Sequence, residues 1–367
     1  GSAGSAGSAG SAGSAGSAGS ADSTGSAGST ASAESAGSAE SAGSSGGCGG
    51  AALRFLQFNM LARGLSSAPR FGGFTKTPRA CLDFHAYRKL RVLEEVLRFA
   101  PDVVAVEECD HFRDFLQPAM DQFGYDGVFQ PKRDAPGLGI WRDSMGDADR
   151  RRQQPFFSDG CALFWKRATL RGVASGAVGY DSGKEADGVL WGQVGLYARL
   201  ALVQKKNGGG SGGGERRTFV VAATHLKSKA SPENEARRVE QISQLLTRLE
   251  DERRDAAEPV VVMGDFNTDP GLDLYKHVTG DGGRALDLDS AYALGSPGRV
   301  EPAYTTCKER KAGVACHTID YILVPRSTAV EALLSVPPLA DLSPGMLPNW
   351  NYPSDHLAIG ADLVLAL

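Results

Sequence analysis

Residues 259–270 read PVVVMGDFNTDP. Pro259 opens the stretch and the valines 260–262 follow, a composition that suits a strand buried on both faces. The apolar run then gives out, and an acid and an amide, Asp265 and Asn267, stand at its end. Taken alone, such a pair is an ordinary turn. Whether it is also one corner of a site depends on the rest of the chain.

Outward from this strand, other short apolar runs carry polar groups at their ends. LRFLQF (53–58) reads as a strand followed by Asn59, and DVVAVEECD (102–110) as a more buried strand closing on Glu107 and Glu108. RRTFVVAATHL (216–226) delivers His225. Two further strands are preceded by such groups: Asp320 stands before YILV, and Asp355 with His356 before LAIG. CALFWK (161–166) and LYARLALVQKK (196–206) complete the strands, the latter joined to RRTFVVAATHL by the flexible hairpin loop NGGGSGGGE (207–215).

Between strands, HAYRKLRVLEEVLRFA (85–100) has Leu90, Leu93, Val96 and Leu97 at helical spacing, with Pro101 closing it. Ser231 and Pro232 form an N-cap and first helical position for a helix striped by Val239, Ile242, Leu245, Leu246 and Leu249. Mixed strands with a few long helices, without regular βαβ alternation, predict an α/β (α+β) protein of two β-sheets packed face to face with helices outside. The stretch 133–155 reads as a long surface loop, and RRR at 150–152 as solvated.

Residues 1–50 are almost entirely Gly, Ser and Ala. They carry too little apolar surface to offset roughly 1–2 kcal/mol of ordering entropy per residue, so disorder is expected there and a single domain over 51–367. The first cationic residue is Arg54 and no early run is apolar enough for a secretory signal. No stretch is long and apolar enough to span a bilayer. An intracellular, cytoplasmic location is expected, with a mitochondrial or other organelle left open. The formal net charge of −4 argues against a broad nucleic-acid footprint but not against a local basic pocket. The six cysteines include no C-x-x-C pair; Cys109 and Cys161 read as core residues, and a reduced protein is expected.

An antiparallel arrangement can bring these strand ends to one rim, where the acids would repel unless a cation sat among them. Oxygen ligands without a cysteine set suit a hard ion that keeps waters: Mg²⁺ first, with Mn²⁺ able to substitute. Phosphate-ester chemistry follows as an expectation, since Mg²⁺ is commonly held by one or two protein ligands plus substrate phosphate.

The set GDFN, DYI and SDH, together with FLQFNMLARGL, EECDHF, SDGCALFW, THLK, EPAYTTCKER and LPNWNYPSDHLAI, resembles the endonuclease/exonuclease/phosphatase superfamily, and within it the nocturnin-like enzymes related to the poly(A) deadenylases. The resemblance runs from about Leu53 to the C-terminus. It implies a four-layer αββα sandwich and Mg²⁺-dependent removal of the 2′-phosphate from NADP⁺ and NADPH. It implies Glu108 as main metal ligand with Asn59 beside it, Asp265 orienting or deprotonating water, and Asn267 supporting the phosphoryl group. His225 would donate to a phosphoryl oxygen, His356 held by Asp320 would stabilise the transition state, and Asp355 would support the metal side. Lys132, Lys227, Lys229 and Arg310, with Asn59, are the candidate substrate contacts.

Two departures from the pattern matter. THLKSK places Lys229 where an arginine is expected, supplying charge without a bidentate fork. VEE in place of LQE adds Glu107, expected to face away from the metal because successive strand residues point to opposite faces. A poly(A) 3′-exoribonuclease acting on RNA shares the same rim and is the alternative reading. It would need an extended basic groove with aromatic platforms, and no such interleaving is seen. A catalytically inactive scaffold, the third reading, is opposed by the presence of every acid and histidine the chemistry needs.

Overall fold

The computed structural model describes residues 50–66, 73–132, 135, 158–180, 192–203, 217–280, 286–342 and 346–367. The N-terminal segment through 49, the loop at 207–215 and, apart from Ala135, the stretch expected as a long loop at 133–155 lie outside these residues.

The strand-forming runs assemble into two six-stranded sheets. In the first the spatial order is β13 (Ala329–Leu333), β14 (Ile359–Leu365), β1 (Ala51–Asn59), β2 (Val103–Glu107), β4 (Gly160–Lys166) and β3 (Tyr125–Pro131). In the second it is β5 (Leu170–Gly179), β6 (Val194–Leu202), β7 (Thr218–His225), β8 (Val260–Asp265), β12 (Asp320–Pro325) and β9 (Leu288–Ser290). A separate hairpin pairs β10 (Thr306–Arg310) with β11 (Gly313–His317).

Each large sheet has a parallel pair near its middle, β1 with β2 and β7 with β8, and its other neighbours are antiparallel. Parallel strands finish at the same end of a sheet. The register therefore sets Asn59 opposite Glu107 and His225 opposite Asp265. The antiparallel neighbour β12 starts where β8 ends, with Asp320 opposite Asp265.

Alternation along the strands fixes which side chains meet between the sheets. Phe55, Val103, Ala105, Val221, Ala223, Val261, Met263 and Ile322 fill that layer. Two residues further along the same rows come Gln57, Glu107, His225, Asp265 and, at its start, Asp320. The polar rim is thus the end of the central apolar core.

On the outer face of the second sheet, Val220, Ala222, Val260 and Val262 pack against Ile242, Leu245, Leu246 and Leu249 of the helix Pro232–Glu252. Ser231 Oγ accepts the Asn234 amide at 3.1 Å and caps that helix, worth about 1 kcal/mol. On the outer face of the first sheet, Leu56, Phe58, Val104 and Val106 meet Val92 and Val96. The αββα order expected is the observed one. No helix among the described residues is long and apolar enough to cross a membrane.

Three expectations need correction. Leu90 is 62% exposed rather than part of the helical stripe. A wide turn over Phe84–Arg88 precedes the helix Lys89–Leu97, and the buried side is set by Val92 and Val96, with Leu93 and Leu97 beside them. The strands β3, β5, β9 and β13 and the β10–β11 hairpin were not expected. Finally, Cys307 and Cys316, directly opposite in that hairpin, form a disulfide, so the protein is not fully reduced. Cys109 and Cys161 are buried in the core as expected.

Candidate active site

The backbone leaves each strand abruptly at the rim. Leu61, Glu108 and Asn267 follow β1, β2 and β8 with φ of 60°, 52° and 53°. A left-handed conformation costs about 1–2 kcal/mol for a residue with a Cβ, and such outliers gather where function fixes the geometry. The turn at Glu108 swings its side chain back over the rim. There Oε2 accepts the Ala62 amide at 2.9 Å and Oε1 lies 3.3 Å from Asn59 Nδ2. Asn59 also donates to Asp265 Oδ2 at 3.0 Å, so one amide joins the ends of the two sheets. Gly264, with φ of 153°, brings β7 and β8 together before Asp265. A Cβ there would lie 1.9 Å from the Thr224 carbonyl oxygen.

His356 and Asp320 form a buried pair. Nδ1 donates to Asp320 Oδ2 at 2.8 Å, and Nε2 points toward Asp265 Oδ2 at 3.8 Å. Burial opposes the imidazolium, but Asp320, Asp265 and Asp355 outweigh it and lift the pKa to about 9. Asp265 accepts the Asn267 amide on Oδ1 at 3.0 Å. Burial and the neighbouring Asp320 push its carboxyl to about 7, which suits a group that must take a proton near neutrality.

His225 takes the opposite state. Burial, then Lys132, holds its pKa well below the ordinary value. Lys132 Nζ donates to Nδ1 at 3.3 Å, which leaves the proton of the neutral ring on Nε2, 3.6 Å from Asp265 Oδ2. Lys132 is itself held at 2.6 Å by Asp159. Buried between these partners, it orients His225 rather than standing free for substrate as expected.

Asp355, expected to support the metal side, lies near Glu108 and is also ion-paired to two cations. Lys308 Nζ reaches its Oδ2 at 2.6 Å and Arg310 approaches at 3.5 Å. Against the effect of burial, Lys308, His356 and Arg310 hold this carboxyl well below the usual range. With two cations already upon it, Asp355 anchors a positive patch instead of lacking a counter-charge. Arg310 also lies over the Phe74 ring, 5.0 Å from its centroid.

The residues present fit a hard divalent ion on the Glu108 side. Burial and then the nearby Asp355 and Asp159 raise the Glu108 carboxyl, a repulsion that a cation would relieve. The donors are oxygens, Glu108 with Asn59. Asp265, Asp320 and His356 offer atoms within 4.8 Å of one another, but His356 Nδ1 is committed to Asp320, and a charged imidazole does not ligate. That group is better suited to proton and phosphoryl chemistry.

Lys227 is half-buried and Lys229 exposed, with φ of 74°, in the turn after β7. Among the described residues neither ammonium takes an ion pair with the rim. Asn267 gives one Nδ2 hydrogen to the Leu226 carbonyl at 3.1 Å, leaving the second hydrogen and the side-chain oxygen for a further partner. Glu107 does not face away. It points into the layer between the sheets, directly beneath Asp320, where Gln57 Nε2 contacts both acids. The opposite-face argument fails because Glu108 has already left the strand.

Several participants were not anticipated. Gln57 and Lys308 each lie two residues before a named candidate on the same strand face, a signal that period-two reading could have used. Thr305 donates to Asp320 Oδ2 at 2.6 Å. Arg88, fully buried, donates to the Met60, Leu61 and Pro353 carbonyls and to Ser66 Oγ, tying together the segments that carry Asn59 and Asp355. Nothing in the local pattern of 85–100 marks it.

Known proteins resemble this chain in sequence and in fold. The model of the endonuclease/exonuclease/phosphatase family matches residues 56–356. Nocturnin from Mus musculus is 33% identical over 312 residues, covering 84% of this chain and 65% of that protein, so the chain spans a little under two thirds of this relative. The human nocturnin catalytic domain with bound sulfate anion superposes with a TM-score of 0.61 at 30% identity, covering 85% of this chain and 93% of that one. ANGEL2, a 2′,3′-cyclic phosphatase, gives a TM-score of 0.66 at 20% identity, covering 87% and 96%, a likeness of fold alone.

Proposed function

The chain belongs to the endonuclease/exonuclease/phosphatase family, and from that premise we propose that it is a Mg²⁺-dependent phosphohydrolase that removes the 2′-phosphate of NADP⁺ and NADPH. The products are NAD⁺ or NADH and inorganic phosphate.

The observation that carries this reading is the compact positive patch against the catalytic rim. Lys308 and Arg310 are drawn together on Asp355, one residue from His356. A terminal phosphomonoester on a dinucleotide needs such a point of concentrated charge, whereas a polynucleotide needs a long one. The resemblance to nocturnin-like enzymes supports the choice of substrate, and the sulfate held by the human relative is a tetrahedral anion of the same shape as phosphate.

Glu108, with Asn59, would hold the metal, which when bound neutralises charge on the phosphoryl oxygens. This chain's residues divide the remaining work. Asp265 orients a water and accepts its proton, its two oxygens fixed by Asn59 and the Asn267 amide. Neutral His225 offers Nε2–H to a phosphoryl oxygen, and the His356 imidazolium stabilises charge that grows in the transition state. Lys308 and Arg310 bind and orient the phosphate. Asn267 holds Asp265 through its backbone amide, and its Nδ2 keeps a hydrogen to support the phosphoryl group.

Phosphate release from NADPH, NADP⁺, adenosine 2′-monophosphate and NADH, beside shortening of an oligo(A) strand, tests the reading. Release should be faster from NADPH than from the monophosphate by about tenfold or more, because the distal half contributes binding energy. NADH should release none. Chelator or Glu108→Ala should abolish turnover while the protein stays folded. Rapid shortening of oligo(A) with slow release from NADPH would instead favour the exoribonuclease.

A further inference from the structure

Beneath the rim, in the apolar layer between the sheets, Gln57 and Glu107 form a buried polar pair that packing alone does not require. Glu107 continues the inward row of Val103 and Ala105, and Gln57 that of Leu53 and Phe55. Both side chains are fully buried, and each leaves an oxygen, Oε1, without a hydrogen-bond partner among the described residues. An apolar pair would avoid that cost.

Their geometry indicates what the pair does. Gln57 Nε2 has two hydrogens, one directed to Glu107 Oε2 at 2.7 Å and the other to Asp320 Oδ1 at 3.0 Å. Asp320 Oδ2 accepts from Thr305 Oγ1 at 2.6 Å and from His356 Nδ1 at 2.8 Å. A primary amide has a donating and an accepting end of nearly equal size, so something must decide which end faces Asp320. Glu107 supplies an acceptor on the far side and so selects the donating end. With that acceptor gone, the amide can turn its oxygen toward Asp320 and repel it.

We propose that Glu107 and Gln57 are positioning residues, the inner end of a buried chain Glu107–Gln57–Asp320–His356 that locks the Asp320 carboxylate and through it the imidazole. This rests on the phosphohydrolase reading of the rim. What Glu107 supplies is an oxygen that accepts from Gln57 Nε2 at 2.7 Å, and a side-chain amide carries an acceptor oxygen of the same kind. Accordingly, a neutral amide at this position should serve as well as the acid.

The test compares the unaltered protein with Glu107→Leu, Gln57→Met and Glu107→Gln. Steady-state phosphate release from NADPH gives kcat and KM, and a heteronuclear NMR titration of His356, without metal or substrate, follows the imidazole directly. Glu107→Leu and Gln57→Met should lower kcat about tenfold with KM unchanged, and lower the His356 midpoint by about one pH unit. Glu107→Gln keeps an acceptor opposite Gln57 and should retain the unaltered kcat and midpoint. If Glu107→Leu does not fold, Gln57→Met carries both readouts. Unchanged kcat and midpoint in a folded apolar variant would overturn the proposal. So would an equal loss in Glu107→Gln, which would make charge, not the acceptor, the property that matters. If the unaltered protein released no phosphate from NADPH, the substrate reading would fall, while the titration would still decide the chain.

Discussion

At the scale of single residues, the two histidines show how neighbours divide chemistry between identical side chains. Burial, with Lys132 facing the ring, keeps His225 neutral, while Asp320 faces His356 and keeps it charged. A pKa raised from 6.5 to about 9 means that the folded state holds the His356 proton more tightly than the unfolded chain. The stability this gives is full below pH 6.5 and is lost as pH rises through about 9. Denaturant unfolding in chelator should therefore show a decline on the order of 3 kcal/mol across that window, absent in His356→Gln. The kcat profile should fall above the same pH. These site residues were legible in the sequence because each interrupts an apolar row at a strand end. Thr305 and Arg88 were not, since a threonine in a loop and an arginine in a helical run carry no such contrast. The Asp355 ion pairs were hidden too, because they depend on where a separate hairpin folds back.

At the scale of elements, the central strands announced themselves and the edges did not. β2, β7 and β8 are buried along their whole length, and β1 from Phe55 onward, so they read as apolar runs. β5, β9, β13 and β3 are edge or near-edge segments; β5 and β13 alternate irregularly between half-buried and exposed residues and carry little apolar signal. The close pairing of β7 and β8 makes Gly264 a sharp test. Gly264→Ala forces a Cβ into the Thr224 carbonyl and should destabilise by roughly 3 kcal/mol or more, read as a lowered Tm. The β10–β11 hairpin is another. A two-stranded sheet is marginal by itself, yet this one presents Lys308 and Arg310 to Asp355, and the Cys307–Cys316 bridge joins its strands between them and the large sheets. Removing the bridge, in Cys307→Ser/Cys316→Ser, should raise KM about threefold to tenfold and lower kcat less, because the loosened side chains bind substrate. Equal kinetics in both proteins would separate the hairpin from substrate binding. Arg88→Met strips the donors from three carbonyls at once, and should cost both stability, about 3 kcal/mol, and kcat.

At the scale of the whole molecule, the two sheets are variants of one plan. Each places a parallel pair near its centre, and a parallel pair ends at one edge, so joining two such sheets face to face gathers four strand ends above a shared core. Antiparallel neighbours then start at that edge and add Asp320 and His356. The site is rigid for the same reason the core is: its inward residues continue rows that are close-packed two positions earlier. The packed clusters that support the rim begin at Ala51, and residues 1–49, almost entirely Gly, Ser and Ala, have little apolar surface to add to them. A chain beginning at Gly50 should therefore retain the Tm and the kcat of the full sequence within experimental error. A fall in Tm would mean that residues before Gly50 contribute to the packed body. A fall in kcat at unchanged Tm would place part of substrate recognition in the Gly, Ser and Ala segment, and the compact patch around Asp355 would no longer suffice to explain how the phosphate is held.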